Sequence, residues 1–379
     1  MRIADNELLT VAAFMERALY DRETGYYARA AQRSGRAGDF FTSVDVGPLF
    51  GELLATQLAE MADLLTSHQP PATSHQFDLV EAGAGNGRLS ADILRAACIR
   101  YPDFYARTRL HLVEASEAAR AQQRTALGDA SDRLASSAPS LPESFEGVLL
   151  ANELLDAMPV HQVVMREDGL REVYVKDDGH GSLTTIERPP STPALAAYLD
   201  RARAGLEPGW RAEINLRAVE WVADAARRLR RGFLIFIDYG HDARELYSAT
   251  HAGGTLTSFT RHTSAGPEAG GVPGWLQRPG EQDITTHVDF TSVRAAAEAE
   301  GCVTLGFLDQ TYFLLGILAG GREPFAVSAG RATETAKGSR PLKTLLMPGG
   351  LGSTHKVLIL GKGVGSPPLS GLSFRVRVT

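Results

Sequence analysis

A short apolar run, three closely spaced glycines and a helical pattern follow one another in LVEAGAGNGRLSADILRAA, between Leu79 and Ala97. The run FDLVEAG (77–83) is bounded by turn residues, as is typical of a strand buried in a parallel sheet. Glycine adopts positive φ without strain and lets a ligand approach the backbone closely. The sequence therefore predicts a strand, a tight ligand-binding turn and a helix, a unit that is typical of α/β folds.

The same alternation continues along the chain. The sequence predicts further strands at 109–116, 145–153, 232–241, 302–308 and 355–361. Helical patterns separate most of these runs, for example SEAARAQQRTAL after the second strand. Strands that alternate with helices predict an α/β fold with a Rossmann-like, doubly wound and mostly parallel sheet.

The domain organisation follows from where this alternation begins and is interrupted. Helical patterns in residues 1–70 predict an N-terminal cap, and residues 71–379 are expected to form the main domain. One insertion is expected at about 160–212, where two alternating runs flank Asp168-Gly169, a hairpin signal. A second, rich in Gly, Thr, Ser, Pro and His, is expected at about 241–285 as a functional flap.

Composition narrows the classes of partner. The formal net charge of -6 argues against a general nucleic-acid binder, because such affinity comes largely from Lys and Arg at phosphates. No apolar run reaches the roughly 18 residues of a membrane-spanning helix, so no membrane insertion is expected. The segment MRIADNELLT has neither a basic stretch nor an apolar core, which leads us to expect a cytoplasmic, bacterial protein. No metal site is expected, because the cysteines and histidines lack paired short spacings.

The spacing of the glycines restricts the ligand. Gly83, Gly85 and Gly87 form a G-x-G-x-G pattern, and Arg88 stands where the dinucleotide fingerprint requires its third glycine. This disfavours a nicotinamide cofactor. A phosphate loop is disfavoured too, because no Gly-Lys-Ser/Thr precedes the helix.

Two acidic residues beside the loop point to a different ligand. Glu81, at the strand end, can accept hydrogen bonds from an amine and would repel a pyrophosphate. Glu114, at the end of the next strand, can accept from both hydroxyls of a ribose. Together with the glycine turn, these acids predict S-adenosyl-L-methionine as the cofactor. The alternatives are a simple strand-to-helix turn for the glycines and a solvated strand end for Glu114.

A second polar group follows the third predicted strand. Asn152, Glu153 and Asp156 lie in LLANELLDAMPV, at the edge of the sheet where ligands bind in open α/β folds. If this segment is helical, Glu153 and Asp156 lie on one side of a turn and their carboxylates converge. The alternative is a capped turn. His241, which ends FIDYGH, is a weaker candidate, because a lone histidine is more often a packing residue than a catalyst.

With these residues in view, the chain resembles the MidA family of class I methyltransferases, which includes a mitochondrial complex I assembly factor that methylates a protein arginine. The resemblance runs nearly end to end, and its ordered motifs are YDRETGYY (20–27), GDFFTS (38–43), FGE (50–52), VEAGAGNGRL, VEAS, NELLDAMPV, IDYGH and DITTHVDF (283–290).

The resemblance implies roles that spacing does not show. It implies that Gly38, Asp39, Phe40 and Thr42 close over the cofactor from the cap. Ala115 of VEAS and Asn152 of NELLDAMPV complete the expected cofactor-binding set.

The resemblance also implies a reaction, the methylation of an arginine on a partner protein, such as a subunit of respiratory complex I. Glu153 and Asp156 are the candidates that grip the guanidinium, and His241 is the candidate that accepts a proton. One departure is Thr257, which stands where the family usually has arginine. Two alternatives therefore stay open, a small-molecule O- or N-methyltransferase and a noncatalytic assembly factor. For the oligomeric state, a homodimer is a further alternative that stays open.

Overall fold

The computed structural model describes residues 7–28, 42–66, 76–260, 263–265, 272–320, 340–346 and 354–374. Its helices are α1 Val11–Tyr20, α2 Leu49–Thr66, α3 Arg88–Arg100, α4 Pro102–Arg107, α5 Glu117–Leu127, α6 Ala194–Ala202, α7 Leu216–Arg228, α8 Ala243–Leu246, α9 Gly274–Gln277, α10 Phe290–Ala299, α11 Gln310–Gly320 and α12 Arg340–Leu346. Its strands are β1 Leu9–Thr10, β2 Phe77–Ala82, β3 Thr108–Val113, β4 Leu134–Ala138, β5 Phe145–Asn152, β6 His161–Arg166, β7 Gly169–Asp177, β8 Leu183–Arg188, β9 Arg211–Ile214, β10 Leu229–His241, β11 Thr257–Thr260, β12 Thr263–Ala265, β13 Asp283–Thr285, β14 Val288–Asp289, β15 Val303–Asp309 and β16 His355–Lys362.

These elements belong to two compact units. The first unit comprises the ranges Met1–Phe40, Glu153–Ala223 and Tyr239–Ala296. The second comprises Phe41–Asn152, Asp224–Asp238 and Ala297–Thr379. Each unit has its own buried apolar core: among the described residues, one cluster of buried hydrophobic side chains lies within the second unit and two others lie within the first.

The second unit is built on a sheet with the strand order β15-β16-β10-β5-β2-β3-β4. The strands from β10 to β4 are parallel along this order, and β15 runs antiparallel to β16. All six residues of β2 are buried, and four of them are apolar, as is typical of a central strand in a parallel sheet. The predicted doubly wound, mostly parallel sheet is confirmed. The strand order reverses between β2 and β5, so ligand-binding loops are expected at the carboxyl ends of these two strands.

Helices α2 and α3 supply much of the core of the second unit. Phe50, Leu53 and Leu54 of α2 are fully buried, and so are Ile93 and Leu94 of α3. They pack in one cluster with the apolar side chains of β2, β5 and β10. The two helices thus cover the sheet as the class requires.

The first unit contains two smaller sheets. One has the order β1-β7-β6-β9, with β8 paired to β7, and the other has the order β12-β11-β13. The hairpin expected around Asp168-Gly169 is present, since Arg166 of β6 pairs with Gly169 of β7. Helix α1 buries Phe14 and Met15 against this unit's core, where Phe14 makes an edge-to-face contact with Trp275.

The division of the chain differs from the predicted cap and main domain. Residues 1–70 were expected to act as one cap, but α1 belongs to the first unit and α2 to the second. The reason is that the apolar face of α2 packs on α3 and the large sheet. The insertions expected at about 160–212 and 241–285 fall within the first unit. The second of them carries α8, β11, α9 and β13 as well as loops, although residues 261–262 and 266–271 lie outside the described part.

In the part of the chain that the structure describes, no helix is both long and apolar enough to cross a membrane.

Candidate functional site

The glycine loop directly follows β2, in the second unit. Gly83, Gly85 and Gly87 have φ values of 71°, 52° and 84°, which only glycine adopts without strain. The backbone N–H groups of Gly83 and Ala84 both donate to the carbonyl oxygen of Val113 in β3, at 2.9 and 3.1 Å. The turn is therefore held to the neighbouring strand, and helix α3 starts immediately after Gly87.

The central glycine of this loop faces open space. A Cβ placed on Gly85 would have no atom within 4 Å, whereas one on Gly87 would lie 3.2 Å from Leu112 Cδ1. The carbonyl oxygen of Gly85 is fixed by the side chain of Gln123, at 2.8 Å. A ligand can thus lie against the backbone at Gly85, on a loop that is already ordered.

Glu114 links the second strand to this loop. Its Oε2 accepts a hydrogen bond from the backbone N–H of Gly85 at 2.8 Å, and its Oε1 accepts from Ser116 N–H at 2.7 Å. A carboxylate oxygen has two lone pairs, so both oxygens can still accept a hydroxyl. The geometry suits the predicted ribose contact. The neighbouring Ala115 is exposed, and its carbonyl oxygen accepts from Arg120 at 2.7 Å.

Glu81 lies deeper than the sequence suggested. Its side chain is buried, and Oε2 accepts from both the backbone N–H and the hydroxyl of Ser90, in the first turn of α3. Burial is the main reason that the pKa of Glu81 is raised to about 7. The Glu114 carboxylate adds to this rise, and the Ser90 hydrogen bonds oppose it. Glu81 therefore caps a helix, and its contact with an amine stays a prediction.

The segment after GDFF lies against the start of α3 within the second unit. Thr42 is buried, and its N–H and hydroxyl both donate to Asp45 Oδ2, at 3.0 and 2.9 Å. Arg88 reaches this segment, donating to the Val44 carbonyl and forming an ion pair with Asp45 Oδ1 at 2.6 Å. Arg88, which stands where the dinucleotide fingerprint requires a glycine, therefore anchors the segment that contains Thr42.

The other residues implied to close over the cofactor, Gly38, Asp39 and Phe40, lie outside the described residues. Their role stays a prediction.

The polar residues after β5 adopt an unusual backbone. Asn152 is the last residue of β5 and pairs with Ile237 of β10. Glu153 follows with φ of 51°, a left-handed conformation that costs a non-glycine residue on the order of 1 kcal/mol. Within the first unit, the Tyr239 hydroxyl donates to Glu153 Oε2 at 3.3 Å. The hypothesis of a helical segment was wrong, because the chain turns sharply at Glu153 and continues in turns to Pro159.

Asp156 lies at the meeting point of three motifs in the first unit. It is buried, its Oδ2 accepts from the Thr285 hydroxyl at 2.8 Å, and its carbonyl accepts from Thr286 N–H at 3.1 Å. The next residue, Ala157, accepts at its carbonyl from the Tyr20 hydroxyl at 3.0 Å. NELLDAMPV, DITTHVDF and YDRETGYY are thereby brought together.

His241 lies among other histidines of the first unit. Its ring centroid is 4.9 Å from that of His251 and 5.2 Å from that of His287. Its Nδ1 lies 3.0 Å from Glu245 Oε1. Burial, with a contribution from His241 and His251, lowers the pKa of His287 to about 4. Spacing along the sequence could not reveal this group of histidines, because its three members lie in separate segments of the chain that only the fold brings together.

Comparison with known proteins agrees with this geometry. Residues 53–308 match the family described as "Putative S-adenosyl-L-methionine-dependent methyltransferase". The Mus musculus protein named "Protein arginine methyltransferase NDUFAF7, mitochondrial" is 29% identical to this chain. The Drosophila melanogaster protein named "Protein arginine methyltransferase NDUFAF7 homolog, mitochondrial" is 30% identical. Each alignment covers 81% of this chain and 70% of the relative. A Burkholderia thailandensis crystal structure bound to S-adenosyl-homocysteine is 31% identical with a TM-score of 0.82, covering 98% of this chain and 92% of that one.

The glycine loop fits the cofactor of this family. Gly85 leaves open space beside the backbone, where a side chain would project. Glu114, which already fixes that backbone, offers acceptors for ribose hydroxyls. No part of the loop offers the lysine that a phosphate ligand would require.

We predict that the double variant Gly85→Val and Glu114→Ala loses the cofactor. Valine is strained at the φ of Gly85 and fills the open space, and alanine removes a charged acceptor whose hydrogen bonds contribute about 1.5–3 kcal/mol each. Calorimetric affinity for S-adenosyl-homocysteine should fall at least about 100-fold. The matched control is Gly128→Val with Glu117→Ala, which changes a glycine of similar φ and an exposed glutamate in the same unit. Equal affinities of the two double variants would refute the proposed site.

We also predict that Glu81 makes stability depend on pH. Because its pKa is raised to about 7 from 4.5, the folded state holds a proton that the unfolded state releases between these values. The free energy of unfolding should therefore fall as pH rises from 4.5 to 7, by up to about 1.4 kcal/mol per pH unit, and level off above. Glu81→Gln should lose this contribution. Urea unfolding across this range measures it, with Glu117→Gln as control; parallel curves for wild type and Glu81→Gln would contradict the assignment.

Proposed function

This chain belongs to the family of S-adenosyl-L-methionine-dependent methyltransferases, and we propose that the group it methylates is an arginine of a protein. The relatives named protein arginine methyltransferase support this proposal. A subunit of respiratory complex I is the partner that the family resemblance suggests.

The observation that carries the proposal is the conformation of Glu153. A glutamate held at φ of 51° directly after β5 costs free energy that a glycine would not, and such strain is typical of functional positions. The Tyr239 hydroxyl holds its carboxylate, and the side chain remains partly exposed. A positioned, accessible carboxylate at the ligand-binding edge of the sheet is what recognition of a guanidinium requires.

The cofactor supplies an electrophilic methyl group on a sulfonium. The protein must orient the acceptor nitrogen at about 3 to 3.5 Å and exclude water. An arginine is protonated and delocalised at neutral pH, so a carboxylate that pairs with one edge of its planar group can aim another nitrogen. We assign this pairing to Glu153.

Asp156 is the second proposed carboxylate, and we assign it a different role from that of Glu153. It is buried and bonded to Thr285, so its contribution is to hold the turn that presents Glu153. Transfer also releases one proton from the methylated guanidinium, which passes to a basic group. Glu153 and His241 are the candidates for that step.

Position 257 favours one alternative, methylation of a small-molecule oxygen or nitrogen. Thr257 of β11 pairs with Thr285 of β13, the residue that donates to Asp156. The threonine therefore stands beside the carboxylate group where the family usually has an arginine, and a smaller acceptor would suit this change. A noncatalytic assembly factor is the other alternative, against which the strain at Glu153 argues.

We predict that Glu153→Gln abolishes methyl transfer and leaves cofactor affinity intact. The amide keeps the size of the side chain but cannot neutralise a guanidinium, and loss of a charge-assisted contact in the transition state should lower kcat/KM by at least about 100-fold. Glu167→Gln, at an exposed glutamate of the same unit, is the control. Full activity of Glu153→Gln would reject its role.

The acceptor can be identified with labelled cofactor. The purified protein is incubated with lysate from a strain that lacks it, and labelled protein is hydrolysed to amino acids. Methylarginine is the expected product, absent with Glu153→Gln. Label confined to small molecules would favour the first alternative, and no transfer despite cofactor binding would favour the noncatalytic one.

A further inference from the structure

Three histidines of the first unit converge although they are far apart in the sequence. One side-chain nitrogen from each of His241, His251 and His287 lies within 4.8 Å of those of the other two. All three side chains are half-buried. We propose that these histidines bind one divalent transition-metal ion, with Zn²⁺ as the expected occupant.

The fold brings two of these residues together through a close backbone approach. His241 ends β10 and pairs with Asp289 of β14, and His287 immediately precedes that strand. At the preceding residue, Gly240, a Cβ would lie 2.2 Å from the Val288 carbonyl oxygen. Only glycine permits this approach, so residue 240 is fixed by the need to bring β10 and β14 into register.

His251 arrives from a third element, the 3-10 turn Ala249–His251. This turn follows α8, which is capped by Asp242, whose side chain accepts from Glu245 N–H at 3.0 Å. His287 is fixed as well, since its backbone N–H donates to the Thr255 hydroxyl at 3.1 Å. The ligands therefore sit on ordered backbone, as a preorganised metal site requires.

Glu245 orients two of the rings. His251 Nδ1 lies 3.1 Å from the Glu245 backbone carbonyl oxygen, and His241 Nδ1 lies 3.0 Å from a carboxylate oxygen of the same residue. The Glu245 carbonyl only accepts, so the proton of a neutral His251 ring belongs on Nδ1 and its lone pair on Nε2. A carboxylate or carbonyl behind a ligating histidine is the usual outer shell of a metal site.

The third ring has unused bonding capacity. Nδ1 of His287 is buried and has no hydrogen-bond partner among the described residues. Leaving a buried polar atom without a partner costs free energy, which coordination at this group of rings would offset. Packing alone gives no reason for three imidazoles to meet.

The donor set selects the metal. Imidazole suits Zn²⁺, Cu²⁺, Ni²⁺ and Fe²⁺, whereas Mg²⁺ and Ca²⁺ require oxygen ligands. Three imidazoles leave a tetrahedral Zn²⁺ one further position, which water or a ligand group can take. A metal ion bound to His241 would occupy the lone pair with which this ring accepts a proton, and so would leave that step to Glu153.

The test is direct metal binding by the full chain, without a histidine tag. Protein stripped with a chelator is titrated with Zn²⁺ by calorimetry, and one ion per chain is expected. Glu245→Gln removes a partner of a ligand and should weaken the affinity for Zn²⁺ by about 10- to 100-fold. His251→Ala removes a ligand itself and should weaken the affinity by more than this. His180→Ala, an exposed histidine of the same unit, is the control and should bind like the wild type.

Two further measurements guard against a folding artefact. Zn²⁺ should raise the Tm of the wild type and of His180→Ala but not of His251→Ala, and circular dichroism of the stripped proteins checks that all are folded. Co²⁺ should give visible absorption bands that are lost in His287→Gln. Wild-type protein that takes up no Zn²⁺, or a His251→Ala variant that binds it as tightly as the wild type, would overturn the proposal.

Discussion

The candidate cofactor site depends on one backbone interaction, the capture of the glycine turn by the end of β3. The carbonyl of Val113 accepts from two successive N–H groups of the turn, and Glu114 accepts from a third. These bonds hold a left-handed path that the chain would not keep unaided, since glycine is the residue with most conformational entropy to lose. This turn fixes the position of the start of α3, and with it the positions of the helix cap at Glu81 and the anchoring side chain of Arg88.

The motifs that resemble the family fall into two groups when they are sorted by unit. In the second unit, VEAGAGNGRL is linked to VEAS by the hydrogen bond from Gly85 to Glu114, and to Thr42 of GDFFTS through Asp45, which accepts from both Arg88 and Thr42. YDRETGYY, NELLDAMPV and DITTHVDF are linked in the first, through Tyr20, Asp156 and Thr285. We assign the first group of contacts to the cofactor and the second to the acceptor.

Local sequence patterns predicted those features of the fold that depend on interactions between residues close together in the sequence. Period and glycine spacing were enough for the parallel sheet, the loop after β2 and the hairpin at Asp168, because each is encoded within a few residues. The split of residues 1–70 was missed because it depends on which distant surface α2 buries, and helical periodicity does not name that surface.

The candidate site shows the same limit. The role of Arg88 needs its pairing with Asp45, far away in the sequence, and the histidine group needs β10 and β14 in register. The conformation of Glu153 was unpredictable for another reason. Glutamate has no preference for the left-handed region, so only the surrounding structure can impose it.

The left-handed conformation of Glu153 places the stability of the protein and the function that we propose in conflict at one residue. Glycine or asparagine would relax the backbone there, and neither carries a carboxylate. If Glu153 has the role that we propose, a library of this protein selected only for thermal stability should lose glutamate at this position, and its most stable members would be inactive. Laboratory evolution of the enzyme needs turnover in the screen, or position 153 held constant.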